Sequence, residues 1–248
     1  MSRYFLDIAY NGTNYHGWQI QPNAVSVQEV LQDSISTILK ERVEVMGSGR
    51  TDTGVHAKQQ PVHFNFDLEM SSHDFLHKLN GILPKDIAAK SIKEVVEEAH
   101  ARFDATERAY QYFINQRKSP FFENLSYQFT YDLDVEIMNE AAKKLLGEQD
   151  FESFSKVKTE VNTFLCTITK AEWRMTEDHL IFEVRANRFL RGMVRALVGT
   201  LLDVGRKKLT VADFVSIIES KDRTKAGRAV PPQGLFLTEV HYPAEIYK

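Results

Sequence analysis

The chain has 248 residues, enough for one large domain or two modest domains with a sizeable core. Its composition is that of an ordinary globular protein, and no apolar run approaches the ~20 residues of a membrane-spanning helix. The net charge of −3 does not by itself indicate a nucleic-acid-binding protein. The single cysteine, Cys166, excludes an intramolecular disulfide and a cysteine metal cluster. We therefore expect a buried thiol, no metal, no membrane association and a reducing cytoplasm.

The first part of the chain, residues 1–104, alternates strand-like and helix-like patterns and is expected to form one α+β unit. A polar and aromatic loop over residues 11–22 is suited to contacts with single-stranded nucleic acid. The predicted strands are 3–10, 42–46, 61–68 and about 87–96, and the predicted helices are one opened by Ser26 and one over about 72–82.

The second part, residues 105–248, is expected to form a similar α/β half. The strongest amphipathic pattern predicts a helix over about 188–203, on which Arg188, Arg191 and Arg195 share one face. The other predicted elements are a strand after residue 108, a helix over 135–146, a hairpin over 163–175 and 179–187, a short helix opened by Thr210 and a closing strand from Leu235.

Basic residues concentrate between Arg185 and Arg228, where eleven lysines and arginines face four acidic residues. Eleven minus four gives a local charge of +7 in a chain whose total is −3. This segment is interpreted as a groove for a polyanion, with a solvated surface as the alternative.

A glycine-rich loop over residues 47–57 reads GSGRTDTGVHA and places Asp52 and His56 between two predicted strands. A simple turn, in which Asp52 caps its own backbone, is one interpretation. An aspartic protease would need two Asp-Thr-Gly tripeptides, and the chain has one, with Arg50 beside it. The glycine spacing is a weak match to a phosphate-binding loop. A single catalytic aspartate is the remaining interpretation.

Five motifs in order resemble the tRNA pseudouridine synthase A family. The loop reads Gly49-Arg50-Thr51-Asp52-x-Gly54-Val55-His56-Ala57, which looks like the family's signature. The other four are Tyr10-x-Gly12-x-x-Tyr15-x-Gly17-Trp18-Gln19-x-Gln21, Ala101-Arg102-Phe103 with Arg108-x-Tyr110, Asn187-x-Phe189-Leu190-x-x-Met193-Val194-Arg195, and Ala226-Gly227 through Pro231-Pro232-x-Gly234-Leu235-x-Leu237.

The resemblance implies a cofactor-free isomerase that converts uridine to pseudouridine at positions 38, 39 and 40 of the tRNA anticodon arm. It implies an α/β fold with two similar halves, each an antiparallel sheet backed by helices, with an RNA cleft between them. It also implies a homodimer whose two subunits hold the tRNA. A non-catalytic tRNA-binding protein, or a synthase acting on other RNA uridines, are the alternatives.

The family's site residues map onto this chain position by position. The resemblance implies that Asp52 is the catalytic nucleophile, a carboxylate that can attack the base or the sugar or abstract a proton. It implies that Tyr110 stacks on the flipped base and that Arg195 pairs with Asp52. Arg50 would occupy the space left by the flipped nucleotide, and Leu235 would pack on the uracil. Small departures, such as Thr53 after the aspartate and Ala229-Val230 before the two prolines, touch none of these groups.

Two further assignments come from the residues themselves. His56 is expected to hydrogen-bond the turn, because Asp52 already supplies a reactive group. Arg188 and Arg191 are predicted to bind tRNA phosphates.

Overall fold

The computed structural model describes residues 1–157 and 161–248. The strands are β1 (Arg3–Tyr10), β2 (Met46–Gly47), β3 (His56–Asn65), β4 (Ile87–Val95), β5 (Glu107–Asn115), β6 (Tyr127–Gln128), β7 (Gly147–Asp150), β8 (Leu165–Met175), β9 (Leu180–Ala186) and β10 (Leu235–His241). The helices are α1 (Val27–Leu39), α2 (Ser72–Ile82), α3 (Val135–Lys143), α4 (Met193–Gly205) and α5 (Val211–Ser220). Across the described ranges, no helix is long and apolar enough to cross a membrane.

The chain divides into two compact units. Unit 1 contains Met1–Thr106 and Phe236–Lys248, and unit 2 contains Glu107–Leu235. The division expected from the sequence placed all of 105–248 in the second half. The C-terminal segment instead belongs to unit 1, because β10 pairs in parallel with β3, with Phe236 opposite His56.

Unit 1 is built on the strand order β4-β1-β3-β10, and β2 pairs with β3. β1 is antiparallel to both of its neighbours. Its Leu6 and Ile8 are fully buried, as the alternating pattern predicts. Phe64 of β3 stacks with Phe75 of α2 at 5.9 Å between ring centroids, which joins the sheet to its helices.

Unit 2 is built on the antiparallel order β5-β9-β8-β7, and β6 pairs in parallel with β5. Trp173 of β8 packs against Phe182 of β9 with ring centroids 4.9 Å apart. Helices α3, α4 and α5 pack together, and α3 lies along β8. Apolar residues fill nearly every position of α4, so this helix is buried rather than amphipathic at a surface.

The mixed α/β class expected from the sequence is confirmed, with sheets backed by helices. Two details differ. The sheets are not wholly antiparallel, since β10 runs parallel to β3. The strand predicted over 42–46 is reduced to β2, because only Met46 and Gly47 reach the edge of β3.

Candidate active site

The loop that carries Asp52 packs against the polar loop after β1, within unit 1. The Trp18 N–H donates to the Thr51 carbonyl at 3.1 Å, and the hydroxyls of Thr51 and Tyr10 share a hydrogen bond of 2.8 Å. The Gly54 N–H donates to the carbonyl of Tyr15 at 3.3 Å. Two motifs that are some forty residues apart in sequence therefore form one hydrogen-bonded structure.

Glycines make this close approach possible. A Cβ on Gly12 would lie 2.0 Å from the carbonyl oxygen of Val55, and a Cβ on Gly17 would lie 2.5 Å from that of Thr51. Gly17 also has a φ of +88°, which favours glycine. A Cβ on Gly47 would meet the ring of Trp18 at 2.6 Å. Gly12 and Gly17 are thus explained by close backbone contact, and Gly47 by contact with the ring of Trp18.

Asp52 itself lies in a tight turn. The turn is closed by the Val55 N–H, which donates to the backbone carbonyl of Asp52 at 3.1 Å. Thr51 is buried and Asp52 is half-buried, so the carboxylate is carried by a backbone that its neighbours hold in place. A catalytic side chain presented by a fixed loop has this arrangement.

His56 has a structural position directly after this turn. Its side chain is fully buried, and its Nδ1 accepts a hydrogen bond of 3.0 Å from the Gly12 N–H. Its ring stacks on Phe236 of β10 at 4.5 Å. The sequence predicted that His56 hydrogen-bonds its own turn; the contact seen here goes instead to Gly12 of the loop after β1.

The start of the loop is fixed by a buried glutamine of β3. The Gln60 side-chain amide donates to the Gly49 carbonyl at 2.8 Å and accepts from the Ser48 hydroxyl at 3.2 Å. Arg50 follows and is exposed, and its Nε donates to the side-chain oxygen of Gln19 at 3.2 Å. Arg50 is therefore attached to the other motif of the pair, two residues before Asp52.

Tyr110 lies on β5 of unit 2, opposite Val184 of β9. Its half-buried ring meets Phe189 edge to face, with 5.1 Å between centroids and an interplanar angle of 87°. Sequence reasoning did not name Phe189 as a site residue. The available signal was its place in the motif around Asn187. Its contact matters because an edge-to-face neighbour fixes the plane of the Tyr110 ring.

Arg195 lies in the first turn of α4 and is anchored to the C-terminal motif. Its Nε donates to the Val230 carbonyl at 2.7 Å, and the Val230 N–H donates to the Arg195 carbonyl at 3.1 Å. The Tyr112 hydroxyl donates to the Pro231 carbonyl at 2.7 Å, and burial raises the pKa of that hydroxyl. Leu235, in the same motif, is buried at 6% exposure.

Close backbone contact also joins α4 to the C-terminal motif. A Cβ on Gly199 would lie 1.9 Å from the carbonyl oxygen of Arg228. The Gly227 N–H donates to the Thr200 hydroxyl at 2.9 Å, and a Cβ on Gly227 would lie 2.9 Å from the Cα of Thr200. The helix that carries Arg195 is therefore held against the C-terminal motif at Arg195 and again one turn later, at Gly199 and Thr200.

The predicted common face of Arg188, Arg191 and Arg195 is wrong. Helix α4 begins at Met193, and Gly192 before it has a φ of +72°, so Arg188 and Arg191 lie in the non-helical segment after β9. The reason is hydrogen bonding to parts of the chain that are distant in sequence. Asn187 exchanges two hydrogen bonds with the backbone of Thr167, and the Arg191 carbonyl accepts from the Lys156 N–H at 2.9 Å.

The basic segment 185–228 is less available as a groove than its sequence charge suggests. Arg185 lies 3.1 Å from a carboxylate oxygen of Glu183, and Lys221 lies 2.8 Å from one of Asp150. Lys207 and Lys208 pair with acidic side chains in the same way, at 3.1 and 3.8 Å. Arg206 stacks on the ring of Tyr131 at 3.8 Å. Three acidic residues outside the segment, Glu183, Asp134 and Asp150, thus pair with its cations, which reduces +7 to +4.

Cys166 is buried, as expected, and burial raises its thiol pKa to about 11. A thiol held in this way is a poor nucleophile. Within residues 1–157 and 161–248, no group of three or more His, Cys, Asp and Glu side chains is placed to hold a metal ion.

The structure therefore brings Arg50 and Asp52 together on one braced loop of unit 1. In unit 2 it places Tyr110 against Phe189, and Arg195 beside the C-terminal motif. These groups offer one carboxylate, one phenol and one guanidinium, which suit nucleophilic and electrostatic chemistry.

A family model described as tRNA pseudouridine synthase matches residues 8–104 and 141–243 of this chain. A tRNA pseudouridine synthase A of Bacteroides thetaiotaomicron is 50% identical over 250 residues, covering 100% of this chain and 93% of the relative. That of Parabacteroides distasonis is 49% identical over 248 residues, covering 100% and 98%. That of Exiguobacterium sibiricum is 40% identical over 243 residues, covering 98% of each chain. The chain therefore belongs to the tRNA pseudouridine synthase family.

Proposed function

We propose that this protein isomerises uridine to pseudouridine at positions 38, 39 and 40 of the tRNA anticodon stem-loop, without a cofactor. The observation that carries the proposal is similarity along the whole chain to proteins named tRNA pseudouridine synthase A, at up to 50% identity. The braced loop that presents Asp52 supports it, because this reaction needs one placed carboxylate rather than a pair.

The reaction exchanges one bond for another within the same nucleotide. The glycosidic bond between C1′ and N1 of uracil breaks, the base rotates, and a bond between C1′ and C5 forms. The proton on C5 is lost and N1 gains one, so the reaction is redox-neutral and has no other product. Asp52 acts as the nucleophile that holds one fragment while the other turns.

Three other residues complete the proposed catalytic and base-binding set. Tyr110 stacks on the base that is flipped out of the RNA and serves proton transfer. Arg195 pairs with the carboxylate of Asp52 and keeps it ionised. Leu235 packs on the uracil face, and Arg50 occupies the position that the flipped nucleotide leaves.

Substrate binding and assembly belong to the same proposal. Arg188 and Arg191 bind tRNA phosphates from the segment before α4. The protein acts as a homodimer in the cytoplasm, where unmodified tRNA is available and where a single free cysteine stays reduced.

The test of the chemistry uses unmodified tRNA and purified protein without added cofactor, with pseudouridines mapped along the anticodon arm. We expect wild type to modify positions 38 to 40, and Asp52→Ala and Asp52→Asn to lose turnover by about a thousandfold or more while still binding tRNA. Asp33→Asn, which changes an exposed carboxylate of α1, is the matched control and keeps its activity. Substantial turnover by Asp52→Ala would overturn the assignment.

The test of the phosphate contacts is the salt dependence of tRNA binding. Each of Arg188→Ala and Arg191→Ala is expected to reduce the slope of log K against log salt by about one. Lys207→Ala is the control, because Lys207 is paired with Asp134 at 3.1 Å and its loss should leave the slope unchanged. A slope unchanged in both arginine variants would contradict this part of the proposal.

A further inference from the structure

Two glutamine side chains connect Arg50 to the interior of unit 1. Gln28, on the first turn of α1, is buried at 6% exposure, and its Nε2 donates to the Val45 carbonyl at 2.8 Å. Its Oε1 accepts from Gln19 Nε2 at 2.8 Å and from the Ile20 N–H at 3.0 Å. Gln19 Oε1 in turn accepts from Arg50 Nε at 3.2 Å. We call Gln28 and Gln19 together the amide relay.

The ends of the amide relay fix its direction. The Val45 carbonyl only accepts hydrogen bonds, and the guanidinium of Arg50 only donates them. Gln28 must therefore point its NH₂ group inward, and Gln19 must present its oxygen to Arg50. Rotating either amide by 180° would set two donors or two acceptors against each other, so the buried Gln28 has one orientation available.

The geometry points to a positioning role for Gln28 and Gln19: we infer that the amide relay orients Arg50 before tRNA binds, so that its guanidinium enters the RNA in one conformation. This inference rests on the proposed function. It adds two residues, neither of which needs to touch the reacting base.

The physical basis is preorganisation. A free arginine side chain loses rotamer entropy when it is fixed, and a side chain that is already oriented has less to lose. The relay takes one of the five guanidinium N–H donors and leaves the others for RNA. Because Arg50 acts only once a nucleotide has flipped, losing its orientation should lower kcat and leave KM little changed.

Gln19→Met removes the outer link and leaves the contact between Gln28 and Val45 in place. We expect its kcat for pseudouridine formation to fall about tenfold, with KM within about twofold of wild type. Gln28→Met breaks the inner link and should lower kcat at least as much.

Gln32→Met is the matched control for these variants. Gln32 lies one turn further along α1, and its side-chain oxygen accepts from the Val45 N–H at 3.3 Å. It supports the same backbone segment without touching Gln19 or Arg50, so its kcat should stay within about twofold of wild type. An equal fall in Gln32→Met and Gln19→Met would overturn the positioning role.

A double-mutant cycle tests the connection to Arg50. We expect Gln19→Met to have no further effect on kcat in an Arg50→Ala background, because the relay has then lost its target. Additive effects, or an Arg50→Ala variant as active as wild type, would overturn the inference and leave the proposed function standing.

A nuclear magnetic resonance measurement separates the relay from the activity. The hydrogen bond to Gln19 predicts that the Nε–H proton of Arg50 exchanges slowly with water in the wild-type protein and at least about tenfold faster in Gln19→Met. Equal exchange rates would overturn the relay even with normal turnover. Slow exchange together with no turnover by wild type would overturn the proposed function instead.

Discussion

Each unit fixes the backbone N–H of a motif glycine with a fully buried side chain, but the two units use different chemistry. In unit 1 the Gly12 N–H donates to the imidazole Nδ1 of His56 at 3.0 Å. In unit 2 the Gly227 N–H donates to the hydroxyl of Thr200 at 2.9 Å. An imidazole nitrogen accepts only while it carries no proton, whereas a threonine hydroxyl accepts at every pH.

Unit 1 repeats this use of imidazole near the end of β4. His63 Nδ1 accepts from the Ala101 N–H at 3.1 Å, and His100 Nδ1 accepts from the Arg102 N–H at 3.1 Å. The two rings lie 4.6 Å apart. The comparison teaches that loops of unit 1 are held by imidazole acceptors, which protonation would remove. The glycine contact of unit 2 is held by a hydroxyl, which acid does not protonate.

The largest effect should come from filling the space at the glycine contacts. Gly12→Ala and Gly199→Ala each set a methyl group about 2 Å from a carbonyl oxygen, so each unit should lose about 3 kcal/mol or more of unfolding free energy. Gly81→Ala is the control, since nothing lies within 4 Å of that position in α2, and it should stabilise by about 0.5 to 1 kcal/mol. Chemical denaturation measures all three. A tolerated Gly199→Ala would show that the contact in unit 2 can relax.

The second-largest expected effect is a loss of unfolding free energy in acid. Burial, with the neighbouring charges of His100 and Arg3, lowers the pKa of His63 to about 4. The folded state therefore binds this proton less readily than the unfolded chain, whose histidine pKa is about 6.5. The contribution of neutral His63 is fully present above pH 6.5 and is lost as the pH falls to 4. It should amount to about 2 to 3 kcal/mol of unfolding free energy.

His63→Asn should flatten that pH dependence, because its side-chain oxygen can accept from the Ala101 N–H without titrating. Denaturation curves between pH 8 and pH 4 provide the measurement, with circular dichroism at pH 8 to confirm that the variant is folded. An acid loss as large in His63→Asn as in wild type would show that another group is responsible.

The smallest effect comes from removing the acceptors themselves. Thr200→Val keeps the shape but leaves the Gly227 N–H without its acceptor, at a cost of about 1 to 2 kcal/mol. His56→Leu should cost about the same through Gly12, with a further loss of stacking on Phe236. The conservative variants Thr200→Ser and His56→Asn keep an acceptor and should retain most of the stability. Equal losses in both members of a pair would attribute the effect to packing.

Much of the fold follows from local patterns. The apolar spacing and the N-terminal cap at Ser71 give α2 over Ser72–Ile82, the range predicted. Alternation gives the hairpin of β8 and β9 and the strand β4, with ends within a residue or two. These elements are set by residues that lie within them.

The errors arise where distant contacts decide. The apolar pattern predicts a helix that already includes the segment with Arg188 and Arg191. Asn187 and Gly192 instead hold that segment out of the helix. The assignment of the C-terminal segment to unit 1 depends on pairing with β3, which no local pattern reveals. The charge that the basic segment presents also depends on distant partners, since Asp134 and Asp150 pair with Lys207 and Lys221.

The site divides in the same way. The motifs single out Asp52, Tyr110 and Arg195 as candidates, because each stands in a recognisable run of residues that the sequence itself displays. Phe189 stands in the motif around Asn187, but only its contact with Tyr110 shows its role, and the buried relay residue Gln28 has no distinctive spacing at all. Partners of catalytic groups are therefore harder to predict than the groups themselves.

The return of β10 to unit 1 has a consequence for synthesis on the ribosome. Residues 1–106 are translated before unit 2, but the strand that pairs with β3 is made only after unit 2. Unit 2 is translated in between, as one continuous segment. The loop with Asp52 is therefore translated early, and the stacking of Phe236 on His56 forms only after nearly the whole chain has left the ribosome.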